Sequence, residues 1–382
     1  MNDAAYKLSA LQEQLIRSIE ATDQMSLRFG NLQCVSAGES QRRGDMSFVF
    51  SADDSHSGEQ VAVKFMDPAY LGNKYLLDAF EREASILEGL EGRERCLQIV
   101  SGCERFTWPV GSNADGRQIL LSTGFFAVEW LGNDVDDYFL RQHEHDARTK
   151  LRIFRDILLA TEAIHRYLVC HRDLKIDNIR IRSGEDRRVV VIIDFGMAAR
   201  TDSPNLLPFY PMPKGAPAFS PPEAFAGFEG ERDLGFHSDS YALGCLLFQL
   251  FNKSEFRYVR GNHTPYETIT SVIRDQLLQA HDRAEREKLW ALKMREFRNL
   301  VEPPPLDWDG NSVPLSAMQM INRTYRGLVR FDYRYRELDL AAVREWIDSA
   351  IRAFGNAQKQ ALEPERVNDF ETRGTKYLTD WG

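Results

Sequence analysis

The stretch His171-Arg172-Asp173-Leu174-Lys175-Ile176-Asp177-Asn178, followed by Val189-Val190-Val191-Ile192-Ile193 and then Asp194-Phe195-Gly196, decides how this chain is read. The unbroken β-branched run predicts a buried strand. Such a strand carries Asp194 to its end, facing the loop that holds Asp173 and Asn178. Polar side chains then converge on one place. Asp173 is suited to accept a proton from a hydroxyl nucleophile, while Asn178 and Asp194 offer hard oxygen ligands for Mg²⁺. The bland alternative is a surface turn followed by a core strand.

In order and spacing these residues resemble the protein kinase family. His171 to Asn178 fits the pattern H-R-D-L-x-x-x-N, and Asp194-Phe195-Gly196 fits D-F-G. A lone D-F-G carries no weight, whereas that loop followed by a strand ending in D-F-G is specific. The resemblance covers roughly residues 32–355. It implies an α+β, bilobal protein-kinase-like fold with a small antiparallel-sheet N-lobe and a mainly helical C-lobe. The implied division is an amphipathic helical extension over 1–31, an ATP-binding N-lobe over 32–131, a C-lobe over 132–355 and a polar tail over 356–382. A helical insertion falls at about 266–305 of the C-lobe.

The 382 residues suffice for a large core in more than one lobe. Hydrophobic content of 43% and charged content of 27% are those of a soluble globular protein. A net charge of −9 speaks against non-specific nucleic-acid binding, so no nucleic-acid partner is expected. No basic n-region with an apolar h-region opens the sequence, and the apolar run Ala242–Phe251 is too short for a bilayer. No membrane association is expected. Cys34, Cys96, Cys103, Cys170 and Cys245 are dispersed without C-x-x-C spacing, which points to free thiols and a cytoplasmic location. His143 and His145 have no further ligand nearby in sequence and read as a solvated helix end.

Residues 1 to about 30 predict an amphipathic helix, with Leu8, Leu11, Leu15, Ile16 and Ile19 on one face. Its charges balance, which favours docking on the protein body over a membrane surface; a dimerisation segment is the remaining alternative. Arg42-Arg43-Gly44-Asp45-Met46-Ser47-Phe48-Val49 is the candidate phosphate-binding loop. Against the kinase pattern G-x-G-x-x-G-x-V it keeps Gly44 and Val49, with Arg42 and Ser47 at the other glycine positions. Val61-Ala62-Val63-Lys64 resembles the family's V-A-I-K strand, which implies that Lys64 contacts ATP phosphates. An anionic partner for Lys64 is expected from the helix Leu76–Leu90, with Glu83 preferred over Glu81 and Glu88. Phe125–Leu131 reads as a buried strand followed by a turn at Gly132-Asn133-Asp134. By resemblance, backbone groups from Glu129 to Leu131 bind adenine, with Ala62 and Val128 lining the pocket.

Leu151–Tyr167 predicts a largely buried helix leading into the catalytic loop. The resemblance makes Lys175 a mark of Ser/Thr kinases, and Arg172 a residue that grips a phosphorylated activation loop. That loop, Asp194 to Glu223, closes with Gly215-Ala216-Pro217-Ala218-Phe219-Ser220-Pro221-Pro222-Glu223, near the family's G-T-P-x-Y-x-A-P-E. Ala216 stands at the threonine position. Pro204, Pro208, Pro211, Pro213 and Pro217 suggest a loop pre-ordered without phosphorylation. His237–Gly244 resembles the start of a central helix, where Asp239 either braces the catalytic loop or caps the helix. Asp332-Tyr333-Arg334-Tyr335-Arg336 resembles the family's D-P-x-x-R, which implies an Arg336–Glu223 pair. Tyr266–Leu300, with alternating charge at 282–288, is either an inserted docking surface or a longer version of the usual helices.

The expected function is therefore Mg²⁺-dependent transfer of the ATP γ-phosphate to Ser/Thr hydroxyls of protein substrates, the chain itself being a further candidate acceptor. Asp173, Lys175, Lys64 and Glu83 form the expected catalytic set. Gly44, Ser47, Val49, Ala62, Lys64, Val128, Glu129, Leu131, Asn178 and Asp194 form the ATP site, and Asn178 and Asp194 hold Mg²⁺. The alternatives are a nucleotide-binding pseudokinase scaffold and a small-molecule kinase of the same fold.

Overall fold

The computed structural model describes residues 8–22, 24–25, 28–36, 46–183, 188–202, 215–228, 233–252, 254, 256, 265–297, 301–308 and 312–355. Gly44, the activation-loop prolines 204, 208, 211 and 213, and the tail over 356–382 lie outside them. The chain forms two compact units. The first comprises Met1–Val135, Ala163–Gly215 and Gly230–Gly235; the second comprises Asp136–Glu162, Ala216–Glu229 and Phe236–Gly382.

The first unit is built on a 6-stranded antiparallel sheet. It contains helix α1 (Ala10–Glu20), β1 (Gln24–Met25), β2 (Phe29–Cys34), β3 (Ser47–Asp54) and β4 (Gln60–Met66). Helix α2 (Lys74–Gly89), β5 (Ile99–Ser112) and β6 (Gln118–Glu129) follow, and the spatial strand order is β1-β2-β3-β4-β6-β5. Period-two alternation sorts the side chains of β4: Val61, Val63 and Phe65 are buried on one face, and Ala62 and Lys64 point to the other.

The predicted N-terminal helix is shorter than expected. Ser9 and Gln12 close a capping box at its start, and the Ala21 N–H bonds back to the Arg17 and Ile19 carbonyls at its end. Beyond it the pattern changes period, and β1 and β2 join the sheet instead. The apolar face of α1 is consumed internally. Leu15, Ile16 and Ile19 share one core with Phe29, Phe48, Phe50, Phe65, Trp108 and Phe125. The helix thus covers the sheet face opposite Lys64, as docking on the body requires.

Short strands complete this unit. The turn expected at Gly132–Asp134 contains β7 (Asn133–Asp134), which pairs with β9 (Ile179–Ser183). β8 (Val169–Cys170) pairs with β11 (Ala199–Arg200), and β9 pairs with β10 (Arg188–Ile192).

The second unit is helical: α3 (Asp136–Leu140), α4 (Ala147–His165, its last residues in the first unit), α5 (Gly235–Phe251), α6 (Pro265–Leu277), α7 (Arg283–Phe297), α8 (Leu315–Leu328) and α9 over 340–355. α5 is its apolar centre, and Leu243, Leu246, Leu247 and Leu250 are fully buried. Gly244 lets α8 approach closely, since a Cβ there would lie 2.4 Å from a Val329 methyl. Asp239 is buried inside α5 and not at its N-cap, so the capping alternative does not hold. The Arg336 guanidinium is bidentate on the Glu223 carboxylate and also donates to the His237 and Arg330 carbonyls.

Within the charged stretch at 266–300, the described residues form α6 and α7 with a break between them. α7 is not wholly solvated. Its Trp290 is fully buried, with Nε1 donating to Asp332 Oδ1 at 3.1 Å. The indole lies edge-on to Phe228 at 5.7 Å and beside Tyr333 at 5.4 Å. No helix among the described residues is long and apolar enough to cross a membrane.

This packing makes Trp290 a brace for the segment that carries Arg336. Trp290→Ala is expected to lower the unfolding free energy by about 3–5 kcal/mol, the usual cost of emptying an aromatic core site. Urea denaturation checks this; a loss below about 1 kcal/mol would mean that the site is dispensable.

Candidate functional site

The candidate residues that carry charge all lie in the first unit. β10 is buried from Val189 to Ile192, as its β-branched run predicts, and delivers Asp194 just past its end. Asp194 sits in the left-handed region at φ 63° and ψ 77°. A carboxylate side chain tolerates that region better than most. The Ile193 N–H donates to the Asn178 carbonyl at 2.9 Å, so the residue before Asp194 is tied to the catalytic-loop candidate.

Within that loop, His171 is fully buried and its ring meets Phe195 edge-on at 5.1 Å. Its Nδ1 accepts the Asp173 N–H at 3.3 Å, so the proton resides on Nε2, which donates to the Ile193 carbonyl at 2.9 Å. The histidine is thus a brace between the loop and the strand. Asp173 Oδ2 lies 3.0 Å from Lys175 Nζ and accepts from Asn178 Nδ2 at 3.1 Å. The same amide donates to the Asp173 carbonyl at 2.8 Å. Burial works against the Lys175 charge, but the Asp173 carboxylate outweighs it and raises the lysine pKa.

Lys64 is the hub. β4 sets its direction and β3 sets its neighbour, with Val49 directly opposite. Its Nζ is 2.8 Å from both Glu83 carboxylate oxygens and 2.8 Å from Asp194 Oδ1. α2 supplies Glu83 from its buried side, as expected from its place before Ile86 and Leu87. Glu83 Oε1 also accepts the Phe195 N–H at 3.0 Å. Burial alone would raise the pKa of Asp194, yet the Lys64 ammonium prevails and holds it at about 2. For Glu83 burial prevails and pushes the pKa up against the same cation. Lys64 is raised, because the carboxylates outweigh its own desolvation.

The remaining candidates take their places on the sheet. Ala62 stands opposite Ser51 and Val128, so Val49, Ala62, Lys64 and Val128 share one face. Ser47 opens β3 and is buried. Leu131 follows β6 and is half-buried. The Glu129 N–H donates to the Gln98 carbonyl at 2.9 Å. Its carboxylate is turned to structure: it accepts from Arg182 Nε at 2.8 Å and from the Gln98 N–H at 2.7 Å.

Sequence patterns assign no function to Gly215, but the fold does. At φ +82° a Cβ there would sit 2.6 Å from the Arg172 carbonyl oxygen and 2.7 Å from Asp173 Oδ1. Only glycine passes so close to Asp173 in that conformation. Its match to the first residue of the family's G-T-P string was the one available signal.

Asn178 and Asp194 suit a hard divalent cation. Asp194 is ionised far below neutral pH, and the Asn178 amide spends its N–H₂ on Asp173, so Oδ1 is its remaining polar atom. No cluster of three or more His, Cys, Asp or Glu that could hold a metal occurs among the described residues. Any cation bound by this pair would need further oxygens, as phosphates supply.

Residues 42–304 match the family described as protein kinase domain. The chain is 27% identical over 222 residues to the carbon catabolite-derepressing protein kinase of Candida glabrata, covering 58% of this chain and 32% of that protein. It is 28% identical over 215 residues to serine/threonine-protein kinase pkn3 of Myxococcus xanthus, covering 54% and 35%. The membrane-associated tyrosine- and threonine-specific cdc2-inhibitory kinase of Drosophila melanogaster is 22% identical over 218 residues, covering 57% and 36%. The matched stretch spans about a third of the length of these relatives.

The Lys64–Asp194 contact has a titration signature. The stability contributed by the Asp194 carboxylate is present above its ordinary pKa of 3.8 and is lost as pH falls toward about 2. Lys64→Met removes the attraction and leaves the burial penalty, so Asp194 should titrate above 3.8 in that variant. Carboxylate ¹³C NMR across an acid titration measures both values; an unmoved Asp194 resonance would mean that Lys64 does not set its ionisation.

Proposed function

The chain belongs to the protein kinase family, and from that premise we propose that it transfers the ATP γ-phosphate to Ser/Thr hydroxyls of protein substrates. The observation that carries this proposal is the placement of Lys64 Nζ at 2.8 Å from both Glu83 and Asp194, with Asp173 paired to Lys175 on the adjoining loop. These charged groups lie close together, which supports an enzyme over a scaffold that only binds nucleotide.

Lys64, oriented by Glu83, presents a fixed positive charge to the ATP phosphates. Asn178 and Asp194 would hold Mg²⁺, which when bound offsets phosphate charge. Asp173, oriented by Lys175 and Asn178, directs the acceptor hydroxyl and accepts its proton. Lys175 then neutralises charge developing on the transferred group. Val49, Ala62 and Val128 form the apolar walls around adenine, Ser47 opens the strand that leads from the candidate phosphate-binding loop, and the backbone from Glu129 to Leu131 reads the base edge. Lys175 and the name of the Myxococcus xanthus relative support Ser/Thr acceptors; the name of the Drosophila relative includes tyrosine. Cys96, Cys170 and Cys245 are buried and outside any disulfide, which accords with a cytoplasmic setting.

Labelled γ-phosphoryl ATP with Mg²⁺, offered with a generic basic protein, tests the proposal. Label is expected on Ser or Thr, and Asp173→Ala should reduce transfer by about 10²–10⁴-fold while MgATP binding persists. Equal labelling by the variant would remove Asp173 from the chemistry, and label on tyrosine alone would overturn the specificity.

A further inference from the structure

One buried amide links α1 to the proposed nucleotide site. Gln12 and Asp67 are each 1% exposed. Both ends of the Gln12 amide are committed: Oε1 accepts the Ser9 N–H at 2.8 Å, and Nε2 donates to Asp67 Oδ1 at 3.0 Å and Oδ2 at 2.7 Å. Asp67 in turn accepts the Ala69 N–H at 2.9 Å and donates its own N–H to the Met46 carbonyl at 3.0 Å. Met66 beside it is held from the other strand, where Thr123 Oγ1 donates to its carbonyl at 2.8 Å.

Met46 is the last residue before β3 and lies in the candidate phosphate-binding loop. Its Cε is 3.2 Å from the point that a Cβ on Gly196 would occupy, and the same point lies 3.4 Å from Asp194 Oδ1 and 3.5 Å from Glu83 Oε2. A chain of contacts therefore runs from the helix, round the end of the β3–β4 pair, to the residues that surround Lys64. The apolar side chains Leu15, Ile16 and Ile19 pack the helix into the sheet's core. Gln12 adds no apolar burial, so its role is directional.

We propose that Gln12 is a positioning residue: through Asp67 it fixes Met46 over Asp194-Phe195-Gly196 and thereby sets the affinity for ATP. The second half of this statement rests on the proposed kinase function; the first does not. Helix α1 is then part of the nucleotide site's support, and displacement of α1 releases Met46 without touching a catalytic residue.

Gln12→Glu tests this sharply. It keeps the acceptor for Ser9 but sets a second carboxylate against Asp67, where like charges in a buried site repel. Adding Asp67→Asn reverses donor and acceptor and rebuilds the bond, with an oxygen still available to Ala69. In the full chain, MgATP affinity is measured by calorimetry and the Met46 methyl by ¹³C NMR, assigned with Met46→Leu. Gln12→Glu should shift the Met46 methyl, weaken MgATP binding about tenfold and raise KM for ATP more than it lowers kcat. The double variant should return the methyl and bring the affinity within about twofold of native. If Gln12→Glu does not fold, Gln12→Met removes the bond at similar volume and should give the same methyl shift and weakening. A variant with both readouts unchanged, or a double variant that restores neither, overturns the proposal. A native chain that binds no MgATP while the methyl still follows Gln12 overturns the nucleotide site and upholds the positioning.

Discussion

The buried ammonium of Lys64 imposes the strictest condition on this molecule. Its side chain is 13% exposed and that of Glu83 is 3% exposed, so neither charge is tolerable without the other. The partners come from separate elements: Lys64 from β4, Glu83 from α2 and Asp194 from the segment after β10. The charge condition can be met only when the sheet, the helix and that segment are all in register. Phe195 adds to it, since its N–H uses the same Glu83 oxygen and its ring seals against His171. One electrostatic requirement thus binds local elements far apart in the chain into a single site.

α1 closes the aromatic face of the sheet, opposite the face that carries Lys64. In the helical unit, Trp290 of α7 packs on Phe228 and Tyr333 and bonds to Asp332, close in sequence to the Arg336 that clasps Glu223. Each of these packings acts as a brace within a single unit. A brace made of packing and hydrogen bonds holds its geometry without covalent modification, and its strength follows the stability of the unit that contains it.

Much of this was legible because the relevant physics is local. The β-branched run before Asp194 predicts β10, the alternation at Val61–Lys64 predicts β4, and the helical spacing around Glu83 selects it over Glu81 and Glu88. Other features were not legible. The charge alternation at 282–288 describes the solvated side of α7 and hides Trp290, whose burial depends on partners distant in sequence. The first 30 residues contain helical spacing, but the helix is capped at Ala21, and pairing of β1 with β2 and of β2 with β3 puts Gln24–Met25 and Phe29–Cys34 in strands. Gly132–Asp134 has the composition of a turn, and β9 recruits part of it.

By itself the amino-acid sequence determined the α+β kinase fold, the order of its elements and the charged residues that converge, because each rests on a spacing or an ordered string of residue types. Only the tertiary structure decided that Gln12 reaches Asp67, that the Glu129 carboxylate serves Arg182, and that Gly215 passes beside Asp173 at positive φ. These depend on distances between segments far apart in the chain. Such distances are set by how whole elements pack, not by the pattern within any one of them.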